Sequence, residues 1–466
     1  MAKKLNSVLG VDIGSRNIKV VELRTQGKEP LVTAMGMMDT PEGAVDHTGV
    51  FNPEAVGQAL KQAIASAGAS VPNVVVSIAG QASVLVRTLE VPRMNATELR
   101  EHMQWEINRN IPFAESNVVS DYRPLQDEDP NSANMDVVMA ISPQSAIDTI
   151  ISAVKQAKKT PAAIDVEPLS IARSLTYSFG EEYQGQTICF VDMGHKTTAI
   201  NIYRDGKLLM PRQIPVGGEM VTKALADHLN LPVEEAEKLK IEKCEVPSSA
   251  GGDAGFGGFD MGFGTPTLGG ETNEFQAYNP FADDSGAAPF ATPGLDATQQ
   301  ITPAADPASP FQPAPDFTQQ ADPMAPTAFE PTHDPFATAA PIEPPVAAPA
   351  PHDAYAMPVA TVDPEVEKLY QIIAPVLEEF VAEVRRSVDY FRSRGGDINK
   401  IVLAGGGAKL KGLAEFLSRS LGLECDPYDC FHKINLNSKK IAPGYAEDLR
   451  QDFVVAVGNA LHVFFE

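Results

Sequence analysis

Two short stretches place a carboxylate two residues ahead of a glycine at the end of an apolar run: Asp12-Ile13-Gly14-Ser15 and Asp192-Met193-Gly194. Glycine lets the backbone approach a ligand closely. The N–H groups of such turns, with the hydroxyls of Ser15, Thr197 or Thr198, can donate to phosphate oxygens. Asp12 and Asp192 are then the candidates for holding a hydrated Mg2+. Lys19 would add a point charge at a β-phosphate. A single Asp-x-Gly is an ordinary hairpin turn. Two in matching contexts, each between strand-like runs, point to a duplicated core with a cleft between its halves.

Two further elements carry chemistry. Residues 401–404 form a short apolar strand that ends in Gly405-Gly406-Gly407, where a flat ring can lie against bare backbone; a tight strand-to-helix connection is the plainer account. Glu237 and Lys240 stand three apart on one face of a helix, a spacing that ordinarily makes a solvated ion pair.

The elements needed to hold these residues alternate between strand and helix, the signature of an α/β architecture. Strands are expected at 7–13, 17–23, 31–38 and 74–78, with a helix over 53–67. A compact α+β module follows, with strands at 83–91, 118–125 and 136–141 and helices near 96–109 and 143–158. Strands at 187–191 and 198–203 repeat the N-terminal hairpin. Val366, Leu369, Ile373, Leu377, Phe380, Val384, Val388 and Phe391 give a long amphipathic helix whose stripe is core. A helix is expected from about Leu410, and the last residues form one that packs back on the first half.

Composition divides the chain more sharply than any motif. The 466 residues suggest roughly three structural units. Residues 251–360 hold 19 of the 38 prolines, 14 acidic residues and no Lys or Arg, with only six Leu, Ile or Val. So little aliphatic surface cannot offset ordering entropy, and the segment is expected to be disordered. Its ten phenylalanines include the pairs Pro280-Phe281, Pro289-Phe290, Pro310-Phe311 and Pro335-Phe336, which would suit short docking elements or an incidentally sticky solvated loop. The net charge of −24 lacks the basic footprint of a nucleic-acid binder or a polybasic membrane-surface protein. Four cysteines without a Cys-x-x-Cys pair fit a reducing compartment, and neither a signal peptide nor an 18-residue apolar run is expected.

Taken in order, these motifs resemble the actin-like ATPase superfamily, and within it the PilM family of type IV pilus assembly, then FtsA. The opening VLGVDIGSRNIKVVEL, the module near 80–165 and EVRRSVDYF before the glycine run carry the likeness. The resemblance implies a two-lobed actin-like fold with five segments: 1–80, first half; 81–165, inserted partner-binding module; 166–245, second half begun; 246–361, disordered acidic insert; 362–466, second half completed with a return to the first. It implies ATP and Mg2+ as ligands, held by Asp12, Gly14, Ser15 and Lys19 in a first phosphate loop and by Asp192 and Gly194, with Thr197 and Thr198, in a second. Gly405, Gly406 and Gly407 would form the adenosine motif, and Glu237 and Lys240 the ribose and adenine contacts.

As partner the resemblance implies the N-terminal cytoplasmic peptide of a PilN-like inner-membrane protein, with other pilus inner-membrane components behind it. The chain is then expected to be cytoplasmic, at the inner face of the inner membrane only through that partner, with room for homo-oligomers. Counting from Pro168 puts Leu175 where actins carry the glutamine that orients attacking water, so ATP turnover is expected to be slow or absent. Two other readings stay open. An FtsA-like division tether would need a membrane anchor, and a sugar or acid kinase would need a base such as Asp121, Glu101 or Glu106.

Overall fold

The computed structural model describes residues 5–27, 29–114, 117–125, 132–250, 363–437, 439–442 and 444–465. The acidic insert lies, from residue 251 onward, outside the described residues, as do its Pro-Phe pairs. In chain order the elements are β1 (Ser7–Ile13), β2 (Asn17–Gln26), β3 (Glu29–Asp39), α1 (Pro53–Ala67), β4 (Asn73–Ile78), β5 (Leu85–Pro92), α2 (Ala96–Arg109), β6 (Val118–Pro124), β7 (Asn134–Pro143), α3 (Gln144–Gln156), β8 (Thr160–Val166) and α4 (Glu167–Phe179). There follow β9 (Thr187–Met193), β10 (Thr198–Arg204), β11 (Lys207–Met210), β12 (Gln213–Ile214), α5 (Gly218–Leu229), α6 (Val233–Lys243), α7 (Pro364–Ser393), β13 (Lys400–Ala404), α8 (Leu413–Leu421), β14 (Glu424–Pro427), β15 (Asn435–Leu436), α9 (Tyr445–Asp448), α10 (Val454–Ala460) and α11 (His462–Phe465).

Two sheets share one plan. The first runs β15-β3-β2-β1-β4-β8 and the second β11-β10-β9-β13-β14, each an antiparallel hairpin extended by parallel strands. β1 pairs antiparallel with β2 and parallel with β4; β9 pairs antiparallel with β10 and parallel with β13. Because side chains alternate along a strand, β1 feeds two cores. Leu9 and Val11 pack with α1, β4 and α3, while Val8 packs with α4 and α10. A strand covered on both faces is a near-continuous apolar run, which is why 7–13 shows no polar alternation.

The second core joins the halves, since Ile171 and Leu175 of α4 and Val454–Val457 of α10 pack with Val8 and Val21 from the first sheet and with Phe190, Tyr203 and Val402 from the second. At the crossing of α10 with α4 an added Cβ on Gly458 would come within 1.9 Å of Ser170 O, so only glycine permits this approach.

Local sequence sets the ends of the elements. Asn52 caps α1 by accepting from Ala55 N–H, and Gly68 closes it in the left-handed conformation. Asn95 and Glu98 form a reciprocal capping box at α2. In α7 the stripe Leu369, Ile373, Leu377, Phe380, Val384 and Val388 is buried.

Three boundaries differ from the sequence reading. The inserted module is the small sheet β5-β7-β6 with α2 and its own core of Val91, Leu99, Met103, Val137, Met139 and Ile141. By contrast α3 and β8, expected within it, belong to the first half: β8 pairs parallel with β4, and α3 packs its Ile150 and Val154 beside α1. Residues 246–250, expected in the insert, are folded, with Val246 and Ala250 buried and Val246 N–H donating to Lys411 O at 2.8 Å. After the glycine run a short 3-10 turn, Gly406–Lys409, comes first, and α8 starts at Leu413 rather than near Leu410.

Candidate functional site

The two hairpins reach the space between the sheets in the same way. Gly14 N–H donates to Asn17 O at 3.1 Å across the β1–β2 turn, and Gly194 N–H donates to Thr197 O at 2.9 Å across the β9–β10 turn. Asp12 lies opposite Lys19, and Asp192 lies opposite Ala199. Directly opposed side chains share a face of the sheet. The first hairpin therefore sets a cation opposite its aspartate, with Lys19 Nζ donating to Asp12 Oδ2 at 2.8 Å, whereas the second sets an alanine opposite Asp192.

Between them opens a cleft of about 460 Å³, within the range of small-molecule sites. Of the thirteen residues singled out above, twelve line it: Asp12, Gly14, Ser15, Lys19, Asp192, Gly194, Thr197, Glu237, Lys240, Gly405, Gly406 and Gly407. Thr198 does not. Its neighbour Thr197 faces the cleft, while the buried Thr198 hydroxyl donates to Val216 O at 2.6 Å.

Gly405 has φ +88°, and a Cβ there would come within 2.3 Å of Met193 O and 2.4 Å of Asp192 Oδ1. Glycine lets β13 end hard against the second hairpin. Glu237 and Lys240 form a half-buried pair at 2.7 Å, tied to α5 because Lys240 Nζ also donates to Gly218 O at 3.1 Å and Thr222 Oγ1 at 2.9 Å. That fixes one wall of the cleft.

Three acidic residues in the cleft escaped the sequence reading: Asp39 at the end of β3, which accepts from Asn17 Nδ2 at 2.9 Å, Glu167 and Asp452. Glu167 is the first residue of α4, and Asp452, which pairs with Lys409 at 2.6 Å, lies just before α10. The signal for Glu167 was present, since it directly follows β8 as Asp12 and Asp192 stand at the ends of β1 and β9. Leu175, counted from the same proline, is a correction: it is buried in the core beside Ile171 and Phe190, away from the cleft. It occupies no position from which a water could be oriented, so it gives no ground for expecting slow turnover. Asp121 and Glu101 are exposed on the inserted module, and Glu106 there accepts from Asn110 Nδ2 at 3.3 Å; none lines the cleft.

The charges do not balance. Burial, reinforced by the carboxylates of Asp192 and Asp12, holds the Glu167 pKa well above the ordinary carboxyl range. Burial, with Asp12 and Asp452, does the same to Asp192 against the pull of Lys19. Burial works against the charge on Lys19, but Asp12, Asp452 and Asp192 together overcome it and raise the Lys19 pKa. Among the described residues no group of three or more His, Cys, Asp or Glu is arranged to hold a bare metal ion. Three carboxylates, Asp12, Asp192 and Glu167, gathered around Lys19 fit a hydrated Mg2+, which keeps most of its waters and takes one or two carboxylates.

A duplicated α/β core whose paired Asp-bearing hairpins and glycine-ended strand face one cleft is the actin-like ATPase fold. The PilM–PilN type IV pilus biogenesis complex has this fold over 99% of both chains, at a TM-score of 0.67 and 21% identity. The chain belongs to the type IV pilus assembly protein PilM family, whose model matches residues 10–250. The model of cell division protein FtsA matches residues 189–447. FtsA of Neisseria meningitidis serogroup B is 24% identical over 254 residues, covering 50% of this chain and 60% of that protein. FtsA of Pseudomonas aeruginosa is 24% identical over 267 residues, covering 52% and 63%. The chain thus spans less than two thirds of the length of these curated relatives. Among the described residues no helix is long and apolar enough to cross a membrane.

Proposed function

We propose that the chain is a nucleotide-responsive adaptor of type IV pilus assembly that binds Mg-ATP in the cleft and the N-terminal cytoplasmic peptide of a PilN-like inner-membrane protein beside the inserted module. The observation that carries the nucleotide half is the convergence of twelve residues from four separate stretches of sequence on one cleft, around a cluster of carboxylates. The partner half rests on family membership and on the inserted module, which exposes Trp105 and Val119 and leaves β6 at the edge of its sheet. An unpaired strand edge beside exposed apolar side chains suits an extended peptide. Location at the inner membrane through that partner, with the other pilus components behind it, is part of the same proposal.

In this reading Asp12 and Asp192 hold the waters of Mg2+, which offsets phosphate charge. The N–H groups of the two hairpin turns, Ser15 and Thr197 cradle the phosphates, and Lys19 stands ready to move from Asp12 to a phosphate oxygen. The Gly405–Gly407 backbone and the α6 wall of Glu237 and Lys240 flank the nucleoside. Glu167, at the phosphate end, can accept a hydrogen bond from a water and orient it for attack, so ATP turnover is part of the proposal.

Calorimetric titration with Mg-ATP, then with the PilN-type peptide, tests both halves. We expect both to bind, and Asp12→Ala to weaken Mg-ATP by about 10–100-fold while the protein stays folded. Mg-ATP binding without peptide binding would remove the partner assignment and favour a division-protein reading, which liposome flotation of the protein alone would then examine.

A further inference from the structure

Asn459 is the one side chain of α10 (VVAVGNA) that carries a hydrogen-bonding group, and it is fully enclosed. Its Nδ2 donates to Val11 O of β1 at 2.8 Å and to Ser77 Oγ of β4 at 3.1 Å, and its Oδ1 accepts from Ser170 Oγ of α4 at 2.6 Å. Both amide donors and the acceptor are thus engaged, each on a different element. Val11 immediately precedes Asp12, and Ser170 lies three residues, close to one turn, after Glu167. One buried amide therefore ties together the roots of the two carboxylates that meet at the phosphate end of the cleft.

The surroundings leave the amide little room. A Cβ on Gly10 would come within 2.1 Å of Ala456 O, so β1 and α10 already touch backbone to backbone, as α10 and α4 do at Gly458. Arg173 Nε of α4 donates to Gly458 O at 3.1 Å, a second link beside the first. In a tightly packed interior a change at one of these contacts is passed to its neighbours rather than absorbed.

We propose that Asn459 is a positioning residue that sets the spacing of the Asp12 and Glu167 carboxylates, so that the C-terminal helix α10 controls how tightly the cleft takes a Mg2+-bound nucleotide. The proposal rests on the nucleotide reading above. It adds that affinity for the metal-bound form depends on a side chain that touches neither metal nor nucleotide.

The test compares the full-length protein with Asn459→Leu, which keeps the branching and heavy-atom count but makes no hydrogen bond, and Asn459→Asp, which keeps the shape and an acceptor but loses the donors. Ser174→Ala is the control; it breaks a buried hydrogen bond of 2.9 Å to Tyr428 further along α4. Amide exchange of the ligand-free protein is read over 8–16, 164–172 and 188–197, and ATP is titrated with and without Mg2+. Asn459→Leu should speed exchange over 8–16 and 164–172 together and leave 188–197 unchanged. It should weaken Mg-ATP by about tenfold and leave metal-free ATP unaffected, with Asn459→Asp intermediate and Ser174→Ala showing neither effect. Exchange that rises alike in all three segments, or in neither of the first two, overturns the proposal, as does an equal loss of affinity with and without Mg2+. Should Asn459→Leu not fold, the same comparisons are made on Asn459→Asp. If the unaltered protein takes no Mg-ATP, the nucleotide reading falls, and the exchange pattern alone decides whether Asn459 couples β1 to α4.

Discussion

Glu22 has no exposed surface, yet it is held ionised. Burial disfavours its charge, but Thr33 Oγ1 at 2.7 Å, Val71 N–H at 2.9 Å, Ser70 N–H and the Arg24 guanidinium at 2.9 Å all donate to it and bring its pKa down to about 2. A carboxyl with a lowered folded pKa stabilises the fold at pH values above its unfolded pKa, and that stability is lost as pH falls toward the folded pKa. We expect the melting temperature to drop between about pH 4.5 and pH 2, and Glu22→Gln to lessen that dependence while costing about 2 kcal/mol at neutral pH. Thermal melts across that pH range check both. Glu167 and Asp192 have the opposite sign. Their raised pKa values make the unfolded chain ionise first, so these groups lower the stability of the ligand-free fold as pH rises from the ordinary carboxyl range. Mg-nucleotide should bind the ionised forms and expel protons at neutral pH, giving a calorimetric heat that varies with buffer ionisation enthalpy. Glu167→Gln should reduce that proton release and slow any turnover.

At the scale of elements, α10 is short, and most of what fixes it is contact with β1 and α4 rather than intrinsic helix preference. The closest contact is Gly458 against Ser170 O. Gly458→Ala ordinarily favours a helix by roughly 1 kcal/mol, but here the methyl must push α10 off α4. The expected net result is a loss of about 1–3 kcal/mol, measured as a lower urea midpoint with an unchanged slope. A midpoint that rises would mean that the two helices part without cost. The short end of β13 shows the same priority of packing over preference. Gly405 faces Asp192 because β13 runs parallel to β9 with Ala404 opposite Asp192, a register that no propensity within 400–404 dictates.

For the whole molecule, the question is what the 251–360 stretch does to the rest. The described residues reach Ala250, whose carbonyl accepts from Arg419 Nε at 2.8 Å, and continue from Asp363, whose side chain caps α7 at Glu365 N–H. Lys243 at the end of α6 pairs with Glu365 at the start of α7 at 3.1 Å. Both ends of the stretch are therefore tied to described residues, Ala250 to α8 and Asp363 to α7, and α6 and α7 meet beside them. Replacing residues 251–360 with a short Gly/Ser linker should leave the Mg-ATP affinity and the PilN-type peptide affinity unchanged in calorimetry. Loss of either would give the acidic stretch a direct part in that site.

The hydrophobic patterning of this sequence determined much by itself. Helix α1 came out residue for residue because Asn52, Pro53 and Gly68 mark its ends chemically, and α2 because Asn95 and Glu98 do. The repeated strand-Asp-x-Gly-strand pattern accounts for seven of the twelve site residues that line the cleft, because each hairpin is local and its turn aims the aspartate. Tertiary structure alone decided the rest. Thr197, last in the β9–β10 turn, lines the cleft while Thr198, first in β10, points to Val216; Leu175 and Glu167 differ only in which end of α4 meets the cleft, and β8 joined the first half only by pairing with β4. Each of these depends on contacts between residues far apart in the chain, and a local pattern of apolar and polar residues carries no record of which distant strand or helix it will meet.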